Sequence, residues 1–238
     1  MAIDEAIMHS MEEGLSPPTF RFYRWNPSAV SIGIFQSMND EVDLDYCRTS
    51  NIDAIRRITG GGAVYHDYEG EITYSIIIPK NHRLVPVDII ESYKILCGGI
   101  VDALRIMGIE SSFKPINDVI VNGKKVSGNA QTRRYSCVLQ HGTILLDLDV
   151  RTMFSILKVP PEKISDKMIS DVRDRVTSIR EIRGDEVSFE ELRDALYDGF
   201  CESLDISLDP GELTAEESVD VEVLMETKYS MDKWNLSR

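Results

Sequence analysis

The stretch Arg56-Arg57-Ile58-Thr59-Gly60-Gly61-Gly62-Ala63-Val64-Tyr65-His66-Asp67 sets paired guanidinium groups beside consecutive glycines. That combination suits an anion, phosphate above all. Glycine has no Cβ, so backbone N–H groups can approach a ligand closely, and arginine supplies a fixed charge on a planar fork of donors. It is not a Walker loop, because no Gly-Lys-Ser/Thr follows, nor a dinucleotide fingerprint, because the glycines are contiguous. A glycine-rich turn flanked by two solvated arginines is the plainer reading of the same residues.

A second stretch, from Asn117 to Gln131, carries Asn122-Gly123 between apolar runs, the signature of a two-residue β-hairpin turn. That turn predicts Val121 opposite Lys124, Ile120 opposite Lys125, Val119 opposite Val126 and Asp118 opposite Ser127. Side chains 118, 120, 125 and 127 then share one face, and Val119, Val121 and Val126 the core face. A lysine held beside a carboxylate on the open face can stabilise negative charge on a reacting acyl phosphate. Taken alone, Lys125 and Asp118 also read as an ordinary surface ion pair.

The ordered blocks RRITGGGAVYHD, NDVIVNGKKVSGNAQTRR, LQHGTILLDLD and ISDVRDRVTSI, running from MAIDEAI to KYSMDKWN, resemble the lipoate-protein ligase A family of the biotin and lipoyl ligase superfamily. The resemblance implies activation of lipoate with ATP and Mg2+ to lipoyl-AMP. The lipoyl group then passes to a lysine of a lipoyl-domain acceptor, a 2-oxoacid dehydrogenase E2 or a glycine cleavage H-like protein. It places Arg57, Thr59, Gly61, Gly62, Ala63, Val64 and His66 along the lipoyl-AMP pocket and Asn117 and Asp118 beside the adenylate. Lys125 becomes the catalytic cation, Ser127, Gly128 and Ala130 the adjoining wall, and His141 the histidine of a Gln-His-Gly motif. Attack of a carboxylate on an α-phosphate brings two anions together, so Arg57 and Lys125 would supply the positive charge. A covering segment is expected at Lys80 to Pro86 or at Gly70-Glu71, to shield the mixed anhydride from water.

Two departures from the family stand out. The chain begins in the helix that the family places after a strand, and it stops just beyond Trp234-Asn235, where many ligases carry a further small domain. A separate accessory subunit is therefore expected. A competing reading is an ATP-independent octanoyl or lipoyl transferase with a cysteine nucleophile, because SGNAQTRR and LQHGTILLDLD also resemble those enzymes. Residues 98 to 136 hold no cysteine, and the Asn117-Asp118 pair favours the ligase. A non-catalytic lipoate-binding subunit is the third reading.

The rest of the chain must position these residues. Its 238 residues, 42% of them hydrophobic, suit a single catalytic domain over 1–238. A net charge of -14 argues against nucleic acid as a partner. Apolar runs are of strand length, so no membrane span is expected. Four cysteines without C-x-x-C spacing, and histidines without ligand spacing, point to a reducing cytoplasm and no metal site. Periodicity predicts helices over 2–11, 42–50, 89–107, 150–157, 188–203 and 214–227. Strands are predicted over 19–23, 29–34, 54–57, 71–78, 118–121, 124–127 and 137–147. Ser188 with Glu191 and Thr214 with Glu217 fit capping boxes, and Gly98-Gly99 inside a helix suggests close packing on a sheet. This order suits an α+β fold of mixed sheets flanked by helices, biotin/lipoyl ligase-like and related to class II synthetases. Within it Trp25, Val64 and Tyr74 serve as core or as acyl-tunnel wall.

Overall fold

The computed structural model describes residues 1–158 and 166–237. Helix α1 (Ala2–Glu12) leads into β1 (Thr19–Tyr23) and β2 (Ala29–Ile32). Short helices α2 (Met38–Glu41) and α3 (Leu44–Thr49) precede β3 (Asp53–Arg56), β4 (Val64–His66) and β5 (Glu71–Pro79). After α4 (Ile89–Ile106) come β6 (Ser112–Lys114), β7 (Asp118–Val121), β8 (Lys124–Arg134) and β9 (Cys137–Leu145). Helices α5 (Val150–Ile156), α6 (Asp166–Arg173), α7 (Ile179–Arg183) and α8 (Phe189–Leu204) follow. Helix α9 (Ala215–Leu224) widens into a π-turn over Met225–Tyr229 before α10 (Asp232–Asn235).

The strands form an antiparallel six-stranded sheet in the order β1-β5-β9-β8-β7-β6 and a smaller sheet, β3-β2-β4, whose β2 and β3 run parallel. The fold is thus α+β with helix-flanked sheets, as expected. Every residue of β5 from Glu71 to Ile78 is buried, so its unbroken aliphatic run is explained by cover on both faces. One face packs against α4 and α8 through Tyr74, Ile76, Leu96, Ile100 and Phe200. On the other, Ile77 and Leu139 meet α1. The candidate residues belong to this second face and to the small sheet.

Three local expectations are corrected. Gly98-Gly99 packs against α8 rather than a sheet: a Cβ on Gly99 would lie 2.0 Å from the Phe200 ring, and one on Gly199 would lie 2.3 Å from the Ala103 backbone. Two helices approach here at a distance only glycine allows. The hairpin keeps its Asn122-Gly123 turn and the first two predicted pairs. Its register then shifts, so that Val119 faces Ser127 and Asp118 faces Gly128. Val126 is the extra residue of this bulge, and Ser127 is turned into the core with it, fully buried. Neither proposed covering segment is free. Leu84 and Val85 sit in the main core while Arg83 donates to the carbonyls of Leu204 and Asp205, and the Gly70 carbonyl accepts from the amides of Leu146 and Asp147.

The caps divide. Thr214 and Glu217 form the full reciprocal box. Ser188 accepts from the Glu191 amide, but the Glu191 carboxylate turns to Arg183.

Candidate functional site

The glycine loop is built around Arg57, whose side chain is 4% exposed. Its Nε donates to Thr59 Oγ1 (3.1 Å), one terminal nitrogen to the Ser31 carbonyl (3.0 Å) and Oγ (3.1 Å), the other to the carbonyls of Gly60 (2.8 Å) and Gly62 (2.7 Å). The fork that the sequence offered to a phosphate is spent on its own loop. Burial lowers the guanidinium from its ordinary value to about 10. Gly61 alone of the three loop glycines takes a positive φ, +98°, and its carbonyl approaches Gly33 so closely that a Cβ there would lie 2.2 Å away.

Two histidines extend this network. His141 Nε2 lies 2.7 Å from Thr59 Oγ1, and burial drives its pKa down to about 3, so the ring is neutral. His66 bridges Ser31 Oγ (2.7 Å from Nε2) and Glu71 Oε1 (2.7 Å from Nδ1) beneath the Trp25 ring, stacked at 4.5 Å. Ser31 and Glu71 thus hold the His66 ring by both of its nitrogens. Thr73 Oγ1 also donates to Glu71 and takes the Trp25 indole N–H in turn. The small sheet and the large sheet are therefore joined by a buried polar seam.

The second cluster lies on the hairpin. Lys125 Nζ is 2.7 Å from Asp118 Oδ1, with the two side chains 39% and 30% exposed, so the pair is open to a ligand. The bulge brings Gly128 beneath it: a Cβ on Gly128 would sit 2.5 Å from Nζ. Ala130, two residues and roughly 7 Å further along β8 on the same face, pairs with His141. The backbone of Lys125 is pinned by the segment after α6, accepting from the Thr177 amide (2.9 Å) and donating to the Arg175 carbonyl (2.7 Å). The ISDVRDRVTSI block is thus the neighbour that holds the lysine's strand in place.

One sheet face accordingly carries Lys125, Asp118, Gly128, Ala130 and His141, with Thr59 reaching across to His141. Ala63 and Val64 continue the loop into β4, half-buried, with Val64 opposite Ser31. Two expected residues point elsewhere. Ser127 is in the core, and the Asn117 side chain donates to the Asn129 carbonyl while Asn129 Nδ2 donates back to the Asn117 carbonyl (2.9 Å). Asn117 anchors the strand that presents Asp118. Ser31, Glu71, Asn129 and Arg56 were not singled out as site residues from sequence. Short polar residues inside apolar strands leave no periodic trace, and only the paired arginines gave a hint of Arg56.

The model of the lipoyl protein ligase A/B catalytic domain matches residues 1–201. The chain belongs to this family. Among lipoyl ligase A/B relatives, "Octanoyltransferase LipM" of Geobacillus kaustophilus is 38% identical, covering 100% of this chain and 93% of its own. The protein of the same name from Bacillus subtilis is 36% identical with the same coverage. Solved structures agree on the fold. A chain from the archaeal bipartite lipoate protein ligase and E2 lipoyl domain study of Thermoplasma acidophilum superposes with a TM-score of 0.86 at 33% identity, covering 99% of this chain and 91% of that one. A lipoate-protein ligase A bound with ATP gives a TM-score of 0.82 at 33% identity, covering 99% and 92%.

The full-length transferase relatives overturn the expected ATP-dependent, adenylate-forming lipoate ligase, and with it ATP and Mg2+ as cofactors and lipoate as the activated substrate. In the structure the Arg57 donors serve Thr59, Ser31 and the loop carbonyls.

Proposed function

We propose that this chain is an octanoyltransferase that moves an octanoyl group from a carrier thioester to the ε-amine of a lysine on a lipoyl-domain acceptor, such as a 2-oxoacid dehydrogenase E2 or a glycine cleavage H-like protein. The observation that carries the reading is 38% identity to an octanoyltransferase along the whole chain. The same reading takes residues 1–238 as one catalytic domain in a reducing cytoplasm. Among the described residues no helix is long and apolar enough to cross a membrane. The accessory subunit was expected from the further domain that many ligases carry, and transfer from a thioester has no step that needs it.

Lys125 suits this chemistry. When the acceptor amine attacks the thioester carbonyl, a C–N bond forms and negative charge gathers on the oxygen. The C–S bond then breaks, and the leaving thiolate takes the proton that the amine sheds. An ammonium fixed over a strand by Asp118, with Gly128 keeping the space beside it clear, stabilises that oxyanion. No thiol lies beside Lys125 and His141. Cys97 is buried in the core behind the sheet, Cys137 lies in the α1 cluster roughly 13 Å along β9 from His141, and Cys47 and Cys201 sit on α3 and α8. Burial pushes the Cys97 thiol up to about 12 and those of Cys47 and Cys137 to about 11, so none is a thiolate at neutral pH. The acyl group therefore passes directly, without an acyl-cysteine.

The test is mass spectrometry of an acceptor domain incubated with this protein and an octanoyl carrier thioester without ATP, repeated after thiol alkylation and with Lys125→Ala. The expected result is modification that survives alkylation and falls by about 100-fold or more in the variant. Modification only from free octanoate or lipoate with Mg-ATP, or none from any donor, overturns the reading.

A further inference from the structure

Arg56 is a fully buried cation whose bonds reach two separate segments. Its side chain is 1% exposed. Nε donates to the Trp234 carbonyl (3.0 Å), and one terminal nitrogen to those of Asn235 (3.2 Å) and Ser237 (2.7 Å). The other terminal nitrogen donates to the carbonyls of Gly33 (3.2 Å), Ile34 (3.3 Å) and Gln36 (2.6 Å). The main chain repeats the link: the Arg56 amide donates to Asn235 Oδ1 (3.0 Å), and the Trp234 indole donates to the Arg56 carbonyl (2.9 Å). Carbonyls at the end of α10 lack helical partners, and a cation is favoured there.

The turn at Gly33–Gln36 is in turn seated on the glycine loop. The Ile34 amide donates to the Thr59 carbonyl (2.9 Å), Gly33 admits the Gly61 carbonyl where a Cβ would not fit, and Phe35 lies against Gly60. A continuous path of contacts therefore runs from the C-terminal segment through Arg56 and this turn to Thr59, the residue bonded to His141. The strap has a second anchor, since Tyr229 Oη donates to Glu5 (2.7 Å) and Lys228 pairs with the same carboxylate (2.6 Å).

We propose that Arg56 is a positioning residue, and that the C-terminal strap Tyr229–Ser237 it clamps holds the Thr59–Gly62 loop in the geometry that acyl transfer uses. Undocking the strap loosens the loop while both sheets stay folded. The effect on transfer rests on the octanoyltransferase reading; the effect on the loop does not.

The test is amide hydrogen exchange, read peptide by peptide, on the full chain carrying Arg56→Lys, with Trp234→Phe as the milder variant that keeps an aromatic ring and loses the indole bond to the Arg56 carbonyl. Lysine keeps the charge but cannot span both segments. The expected result is exchange at 57–63 and 33–36 faster by about tenfold or more, the worth of one charged hydrogen bond. Exchange in β5, β8 and β9 stays unchanged, and KM for the octanoyl donor rises more than kcat falls. Unchanged loop exchange in both variants, or acceleration spread evenly over all strands, overturns the proposal. Loop loosening in the variants, combined with a wild-type protein that transfers no octanoyl group, fails the functional reading alone.

Discussion

Lys125 and Arg57 are both cations of the candidate site, yet they differ in what their donors have left to do. Arg57 is sealed by Ser31, Thr59, Gly60 and Gly62, while Lys125 has one carboxylate partner and a partly exposed tip. Gly128 tests that distinction. In Gly128→Ala the new methyl meets the far end of a flexible lysine, so the ammonium moves and the fold does not have to. We expect thermal stability within about 0.5 kcal/mol of wild type, and a kcat lower by up to about 100-fold because a displacement on the order of 1 Å is enough to misplace the oxyanion partner. A stable variant with unchanged kcat would remove Lys125 from the reaction.

At the scale of elements, α4 and α8 meet where Gly99 admits the Phe200 ring, which also packs at 4.6 Å on Phe20 and 5.2 Å on Tyr74. Gly99→Ala should overpack this contact by about 1–3 kcal/mol and lower Tm by roughly 3–10 °C. The contact lies behind the sheet, so calorimetry should register the change while the transfer rate of the folded fraction at 25 °C does not. Much of this level was legible in the sequence. Regular elements follow from periodicity, and β1 was bounded to the residue because alternating aromatic residues end at a Trp-Asn-Pro turn. What escaped were the short elements β4, β6, α6, α7 and α10, the run of β8 on to Arg134, and features set by tertiary partners. The shift at Val126 depends on what covers Ser127, and the partner of Gly98-Gly99 is a helix more than 90 residues away in the chain. The partners of Arg57 were not legible, because spacing shows that a guanidinium is near glycines and not which carbonyls it will satisfy. That Lys125 and Asp118 share a face was legible from the two-residue turn, although the bulge moves Asp118 from opposite Ser127 to opposite Gly128.

For the whole molecule, the seam between the sheets sets the response to acid. His141 is buried with its pKa pushed down to about 3, whereas an unfolded histidine takes a proton near 6.5. The unfolded chain thus binds more protons over that window, and stability is intact above about pH 6.5 and falls as the pH drops toward 3. The loss reaches on the order of 4 kcal/mol at the lower end. Denaturant titrations should show the midpoint sliding down across this window in wild type, and a flatter profile in His141→Gln. A wild-type profile that is flat until the carboxylates titrate would mean that the ring is solvated.

Behind the reactive face, buried Asn129, Gln140 and Tyr74 and half-buried Gln131 form a chain of amides and a phenol. Gln140 donates to the Tyr74 hydroxyl (2.8 Å), Tyr74 donates to Asn129 (2.6 Å), and Gln131 donates to both Gln140 and Ser92 (3.1 Å each). A slip of β8 along β9 by one residue would turn every side chain over, but a slip by two would keep inside in and outside out. Hydrophobic burial is blind to that second error in a strand reading Ser-Gly-Asn-Ala-Gln. The Asn129 side chain fits because Gly142, directly opposite, leaves it a notch where a Cβ would come within 2.0 Å. Moved two places either way, it would meet Gln140 or Ile144 instead. The amide chain acts as the key to a lock with one setting, and the alignment of Lys125 with His141 across separate strands is fixed by side chains on the opposite face of the sheet.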